Sequence, residues 1–184
     1  MNKRLSSYFI SNKLKYKSLV GIIYNVLFSI KGRAIIYIYY SSEYNNILSF
    51  ILRRILKSKY HIEIGFPIKL GYYLVFNHPY NIIIDANVEI GDNCQIDQNV
   101  TVGGSMRRKK IFEGKLVTRP VIGNNVILCS GCLVGGPIAI KDNCIIGANA
   151  TVTFNVDSGC IVSNISNVMS KNIIVEDGSY RTLN

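Results

Sequence analysis

From about Ile64 the chain repeats every six residues, and this period constrains its fold more than any other feature. One run reads IDANVE, IGDNCQ, IDQNVT and then VGG, ending at Gly104. A second reads IGNNVI, LCSGCL, VGGPIA, IKDNCI, IGANAT and VTFNVD, ending at Asp157. The first position is always Ile, Leu or Val. The fourth is Asn87, Asn93, Asn99, Asn125, Gly131, Pro137, Asn143, Asn149 or Asn155. The fifth is Val, Cys, Ile or Ala. No amphipathic helix has a period of six. A short strand followed by a corner does, with the first position pointing inward and a smaller fifth position rounding the bend. Asn and Gly accept left-handed backbone angles at low cost, and Pro presets a turn. Such units stack into a solenoid with one continuous core. Three hexads per turn would make a triangular prism, but neither that number nor the hand follows from the residues alone.

The repeat divides the chain. Residues 1–60 form a basic, mostly helical segment, 61–163 the solenoid, and 164–184 a tail. Within the solenoid the hexads stop at about 104–120, where SMRRKKIFEGKLVTR leaves the prism. A loop of this length inside a regular array is a functional candidate. In the first segment, Ile47, Leu48, Ile51, Leu52, Ile55 and Leu56 fall at helical spacing. Glu43 near the start and Lys57 and Lys59 near the end suit the helix dipole. The longest apolar run, Ser18 to Ile30, is too short to span a bilayer as a helix.

The chain's whole net charge of +10 sits in its first third. Eleven Lys and Arg there face one acid, Glu43, whereas the remainder is balanced. The segment reads as a helical subdomain with solvated charges, or as a peripheral contact with an anionic membrane surface. Nucleic acid is not expected, because no groove-reading motif accompanies the charge. Five cysteines, an odd number, do not form a disulfide framework. Cys94, Cys132 and Cys144 occupy fifth positions and read as small buried hydrophobes. Cys129 and Cys132 form a C-x-x-C, but zinc needs further nearby ligands, so no metal is expected.

His78, in VFNHPYNIIID, is one of two histidines. On its residues alone it reads either as a satisfied core histidine beside Pro79 and Tyr80 or as a base. His61, at the junction of helix and solenoid, reads as structural.

GFPIKLG, NHPYNIIIDANVEIGDNCQIDQNVTVGG, RPVIGNNV and IGANATV together resemble the hexapeptide-repeat acyltransferases. Over about residues 60–162 the chain is similar to their serine acetyltransferase-like branch, associated with bacterial polysaccharide O-acetylation. The resemblance implies a left-handed parallel β-helix and a homotrimer with active sites between adjacent prisms. It also implies acetyl-CoA as co-substrate. It places the catalytic histidine at His78 and an acceptor-side acid at Glu63. Imidazole suits the task, since a hydroxyl must lose its proton to become a nucleophile. Glu63 would fix its tautomer or position the acceptor. Asn77, Thr118 and Arg119 match acceptor-side positions, and Gly104, Ser105, Ser130 and Ala148 match positions lining the pantetheine arm.

The chain also departs from serine acetyltransferases. Arg119 stands where they carry a second histidine, Thr118 where they carry Arg, and Asn77 where they carry Asp. NISN, Asn164 to Asn167, replaces their GNPA-like turn. These differences favour a sugar hydroxyl of a surface polysaccharide, or its precursor, as acceptor. The alternatives are serine O-acetylation, sugar N-acetylation and a non-catalytic scaffold. With a cytosolic donor, the expected location is the cytoplasm, including the inner face of its membrane.

Overall fold

The computed structural model describes residues 2–14, 19–104, 109–112, 114–163, 168–170, 173–176 and 179–182. Four helices come first: α1 (Lys3–Ser11), α2 (Leu19–Phe28), α3 (Ile30–Glu43) and α4 (Ile47–Ile55). A π-helical turn, Leu56–Tyr60, continues α4, and His61 ends it in the left-handed region. The last helix starts differently from its expected dipole arrangement. Glu43 belongs to the end of α3 and pairs with Arg4 of α1. Asn46 and Ser49 instead form a reciprocal capping box at the start of α4, which satisfies two backbone donors at once. Only part of the expected apolar stripe is covered. Leu52 and Leu56 are buried, whereas Ile47, Leu48 and Ile51 are exposed.

The hexads form three parallel sheets around one core, with strands numbered in chain order. The first sheet holds β1 (Glu63–Ile64), β4 (Ile83–Ile84), β7 (Thr101–Gly103), β12 (Leu133–Gly135) and β15 (Thr151–Val152). The second holds β2 (Lys69–Leu70), β5 (Glu89–Ile90), β10 (Val121–Ile122) and β13 (Ala139–Ile140). The third holds β3 (Val75–Phe76), β6 (Gln95–Ile96), β11 (Ile127–Leu128), β14 (Ile145–Ile146) and β16 (Cys160–Val162). β17 (Val168–Ser170) closes the third sheet in antiparallel fashion. Two further hairpins are β8 (Lys110–Phe112) with β9 (Lys115–Val117), and β18 (Ile173–Glu176) with β19 (Ser179–Thr182).

Strand pairing gives the coil length. Ile83 pairs with Thr101 and Val121 with Ala139, so a regular coil is three hexads. Two coils are longer. In the first, Glu63 pairs with Ile83 and Val75 with Gln95, a spacing that exceeds three hexads by two positions. The two extra residues lie between Phe76 and Ile83, at the corner that carries His78. In the other, Gln95 pairs with Ile127, and the surplus is the excursion between Gly103 and Val121. The last coil is shorter than three hexads, with Ile145 pairing with Ile161.

Backbone angles follow the fourth hexad position. Asn87, Asn93, Asn99, Asn125, Asn143 and Asn149 have φ between 55° and 62°, and Gly131 has 74°. Proline cannot adopt that region. Where Pro137 takes the fourth place, Gly136 turns left-handed instead, at φ 106°. The stacked asparagines also bond one another, as Asn125 Nδ2 donates to Asn143 Oδ1 at 3.0 Å. First and fifth positions are buried throughout, from Ile84 and Val88 to Val152 and Val156. Each such aliphatic side chain contributes about 2 kcal/mol of burial.

The helices seal the prism's open end. β3 is an edge strand, and α1 supplies partners for its backbone. Ser11 Oγ and Asn12 Nδ2 both donate to the Leu74 carbonyl at 2.7 Å. Phe76 N donates to Asn12 Oδ1 at 2.8 Å, and Tyr73 N to Ser7 Oγ at 3.0 Å. Tyr8 then packs on Phe76, which joins the helices to the same core.

Burial pushes the thiols of Cys94 and Cys132 up to about 12, and raises those of Cys144 and Cys129. Cys94 and Cys144 act as donors to the Gly123 and Asp157 carbonyls at 3.1 Å. Cys129 alone is half-exposed. A thiol reagent at mildly alkaline pH should therefore modify about one cysteine in the native protein and all five after denaturation. Rapid modification of three or more native thiols would contradict the buried assignment.

Candidate active site

Val75 and Phe76 deliver the chain to the enlarged corner between the third and first sheets. The side chain of Phe76 points into the core, and Asn77 next to it is half-buried. Its Nδ2 donates to Asp97 Oδ1 at 2.9 Å, and that carboxylate also accepts from Gln95 Nε2 at 3.0 Å. Tyr80 N donates to the His78 carbonyl at 2.7 Å, which tightens the turn around Pro79. Beyond it, Asn81 adopts φ 52°, donates through N to the Tyr60 carbonyl, and donates through Nδ2 to Asn99 Oδ1. His61 meets the Tyr80 ring edge-on at 5.2 Å. The corner is thus pinned at both ends, and the two surplus residues lift His78 off the prism.

His78 is exposed. Its imidazole makes no hydrogen bond or ion pair among the described residues. The core-histidine reading is therefore excluded. Glu63 does not orient it within this chain, because its carboxylate holds Lys57 Nζ at 2.9 Å. The π-helical turn brings Lys57 to Glu63 at the start of β1.

Thr118 and Arg119 lie where the excursion rejoins the prism, between the first and second sheets. Arg119 Nε sits 2.8 Å from Asp85 Oδ2, with both side chains partly exposed. Nη1 also donates to the Thr118 carbonyl at 3.2 Å. The guanidinium lies directly over Gly104, where a Cβ would come within 2.3 Å of Nη1. Gly104 N in turn donates to Asp85 Oδ2 at 3.4 Å. Asp85, Gly104 and Arg119 form a clasp at the base of the excursion. Their pairing is cheap in energy, since partly exposed ion pairs contribute about 0–1 kcal/mol. Its effect is to fix where the guanidinium points.

The first sheet separates the clasp from His78. Ser130 and Ala148 share the His78 edge of the prism, two and three coils further along. At a strand spacing of about 4.8 Å these positions lie roughly 10 and 14 Å from the His78 coil along the axis. Asn149 N donates to the Ser130 carbonyl at 3.0 Å, which locks these corners in register. Gly104 lies on the other edge. Ser105, Arg107, Arg108 and Asn164 to Asn167 fall outside the described residues. Two surface concavities, of about 350 and 220 Å³, lie along the second sheet, and neither includes His78. Among the described residues no cluster of three or more His, Cys, Asp or Glu is arranged to hold a metal ion.

Asp85 was not singled out by the motifs, although a signal exists. The second hexad position is Gly in five hexads, at Gly91, Gly103, Gly123, Gly135 and Gly147, but Asp at 85 and 97. Both aspartates hold a candidate acceptor-side residue, Asp97 holding Asn77 and Asp85 holding Arg119.

Residues 119–153 match the family described as bacterial transferase hexapeptide (six repeats). A serine acetyltransferase from Helicobacter pylori is 37% identical over 98 residues, covering 53% of this chain and 54% of that protein. One from Staphylococcus aureus is 37% identical over 117 residues, covering 64% of this chain and 50% of that protein. The chain spans about half the length of these curated relatives. Among solved structures, serine acetyltransferase of Neisseria gonorrhoeae superposes with a TM-score of 0.69 at 18% identity, over 99% of this chain and 65% of that one. A serine acetyltransferase in complex with CoA gives 0.65 at 18% identity, over 90% and 67%. The shared fold is the left-handed parallel β-helix. These relatives overturn the expectation of a polysaccharide O-acetyltransferase, because they carry the name of the serine alternative. Asn77 lies on the His78 corner, and Thr118 and Arg119 lie on the opposite edge of the first sheet. The chain carries the transferase hexapeptide repeat on a left-handed β-helix, and it is similar in sequence and in fold to serine acetyltransferases.

Proposed function

We propose that the chain transfers an acetyl group from acetyl-CoA to the hydroxyl of serine, with His78 as general base. The observation that carries this reading is the exposed imidazole on an enlarged, doubly pinned corner, in a chain with serine acetyltransferase relatives. Neutral imidazole takes the hydroxyl proton as the oxygen attacks the thioester carbonyl. The tetrahedral oxyanion collapses and breaks the carbon–sulfur bond. The departing thiolate recovers the proton from the imidazolium, leaving the acetyl ester and CoA. No covalent enzyme intermediate is required, so positioning carries much of the rate.

The small corners at Ser130 and Ala148 would admit the donor's thin arm along the His78 edge. Arg119 supplies a permanent cation for the serine carboxylate. Asp85 pairs with Nε and the Thr118 carbonyl accepts from Nη1, which leaves Nη2 without a hydrogen-bond partner among the described residues. This arrangement gives Arg119 a part in binding serine that a histidine at the same place would fill differently. A single prism presents His78 and Arg119 on opposite edges of one sheet. A trimer would bring the clasp of one prism to the histidine corner of the next. A cytosolic donor supports a cytoplasmic location for the reaction.

Three outcomes are expected. In a serine-dependent assay of CoA release, His78→Ala should lower kcat by about a hundredfold or more. Donor binding and the circular dichroism spectrum should stay unchanged, and near-wild-type turnover would remove His78 as the base. Arg119→Ala should raise KM for serine more than it lowers kcat, with Asp85→Asn showing a smaller shift in the same direction. An equal loss with an acceptor lacking the carboxylate would discard the carboxylate role. At serine well below KM, refolding His78→Ala and Arg119→Ala chains together should give more activity than the two variants give separately. A mixture no more active than that sum would place the whole site within one chain.

A further inference from the structure

α2 exposes most of its apolar side chains. Its buried residues are Gly21 and Asn25, four apart, Ile22 packs partly buried on the core, and Leu19, Val20, Ile23, Leu27 and Phe28 face outward. Leu19, Phe28 and the adjoining Ile30 are 73%, 74% and 73% exposed, and Val20, Ile23 and Leu27 extend the same surface. In a helix packed for water the apolar side faces the protein. Here the fully buried positions hold a small and a polar residue, as in helices that pack within lipid, beside the partly buried Ile22. Asn25 Nδ2 donates to the Gly21 carbonyl at 2.8 Å. A Cβ on Gly32 would come within 2.4 Å of Asn25 Oδ1, so α2 and α3 cross in close contact.

The end of α2 is also prepared to leave water. Arg33 from α3 donates through Nε to the Val26 carbonyl at 2.5 Å and through Nη2 to the Leu27 carbonyl at 2.9 Å. These are carbonyls that a helix terminus otherwise leaves to solvent. Lys31 lies in the first turn of α3, beside this corner. Its ammonium pKa is lowered by burial and by neighbouring Lys13, and neither lysine has an acidic partner among the described residues. The ten residues of α2 extend about 15 Å, half the hydrocarbon thickness of a bilayer. Among the described residues no single helix is long and apolar enough to cross a membrane, and α2 and α3 are bent by 117°. The geometry suits lying in one leaflet rather than spanning.

We infer that α2 and its corner with α3 insert into the interface of an anionic phospholipid bilayer, with Lys13 and Lys31 at the headgroups. Charge decides between this occupant and a second copy of the chain. The first sixty residues carry eleven basic side chains and one acid, and that acid, Glu43, already pairs with Arg4. A second copy would bring the same uncompensated charge to the contact, whereas phosphatidylglycerol brings the opposite sign. The inference adds to the basic-segment reading an apolar element that does the inserting. It does not rest on the proposed acetyl transfer.

The test is flotation of the full chain with vesicles of equal parts phosphatidylethanolamine and phosphatidylglycerol, beside vesicles of phosphatidylcholine alone. The wild type should float with the anionic vesicles and not with the neutral ones. Leu27→Asp combined with Phe28→Asp should cut the bound fraction about tenfold. Both side chains are exposed, so the circular dichroism spectrum should not change. Lys13→Glu with Lys31→Glu should weaken binding most at low salt. The chain has no tryptophan, so Phe28→Trp gives a single reporter whose emission should shift to the blue on anionic vesicles. Unchanged flotation of the double Asp variant, or an unshifted tryptophan, would overturn insertion. So would a wild type that ignores vesicles and sediments as an assembly larger than the double Asp variant, which would assign the face to a second copy.

Discussion

The left-handed corner is the constraint on which the rest of the molecule depends. Each coil closes only if the backbone turns sharply at every third of its path, and the fourth hexad residue absorbs that turn at most corners, with Gly136 taking it where Pro137 stands fourth. Asparagine tolerates the angle, and in the pairs Asn81–Asn99 and Asn125–Asn143 its side chain also bonds the asparagine of the next coil. The same residue therefore bends the chain and aligns neighbouring coils. Once the corners are in register, the first and fifth positions have nowhere to go but inward, and the parallel strands acquire their partners without a helix between them.

Much of this was legible because it repeats. A six-residue period predicts the inward positions, and the structure buries them from Ile84 to Val156. The number of hexads per coil was not legible, since stacking partners are chosen by contacts that a single period does not encode. The start of α4 was misassigned for a related reason. Glu43 has the right charge for a helix N-terminus, but Asn46 has the right hydrogen-bonding geometry, and the backbone between them is extended at Tyr44. Short-range geometry outweighed charge.

The candidate site was legible in part. His78 stood out as one of two histidines, and pairing register shows why it is accessible: its corner holds two positions more than a regular coil needs. Asp85 did not stand out, because its partner lies far along the chain, on the other side of the excursion. The two aspartates at second hexad positions connect scaffold to chemistry. Each occupies a place where glycine would suffice for the corner, and each restrains a polar side chain on the coil edge. The acceptor could not be read from Arg119 alone. A guanidinium suits any carboxylate, and a carboxylate belongs to serine as well as to an acidic sugar.

α1 bears on more than packing. A solenoid of parallel strands has no inherent end, for each finished coil exposes the hydrogen-bonding edge that the next would use. Ser7, Ser11 and Asn12 occupy that edge at β3 with side-chain groups, while β17 reverses direction at the far side of the third sheet. Neither terminus of the third sheet therefore matches the other as a continuing parallel strand would. The molecule is a stack of finite height, and that height sets how far the row of small corners can extend from the histidine. Chain termination and the reach of any ligand lying along that edge are consequences of the same two caps.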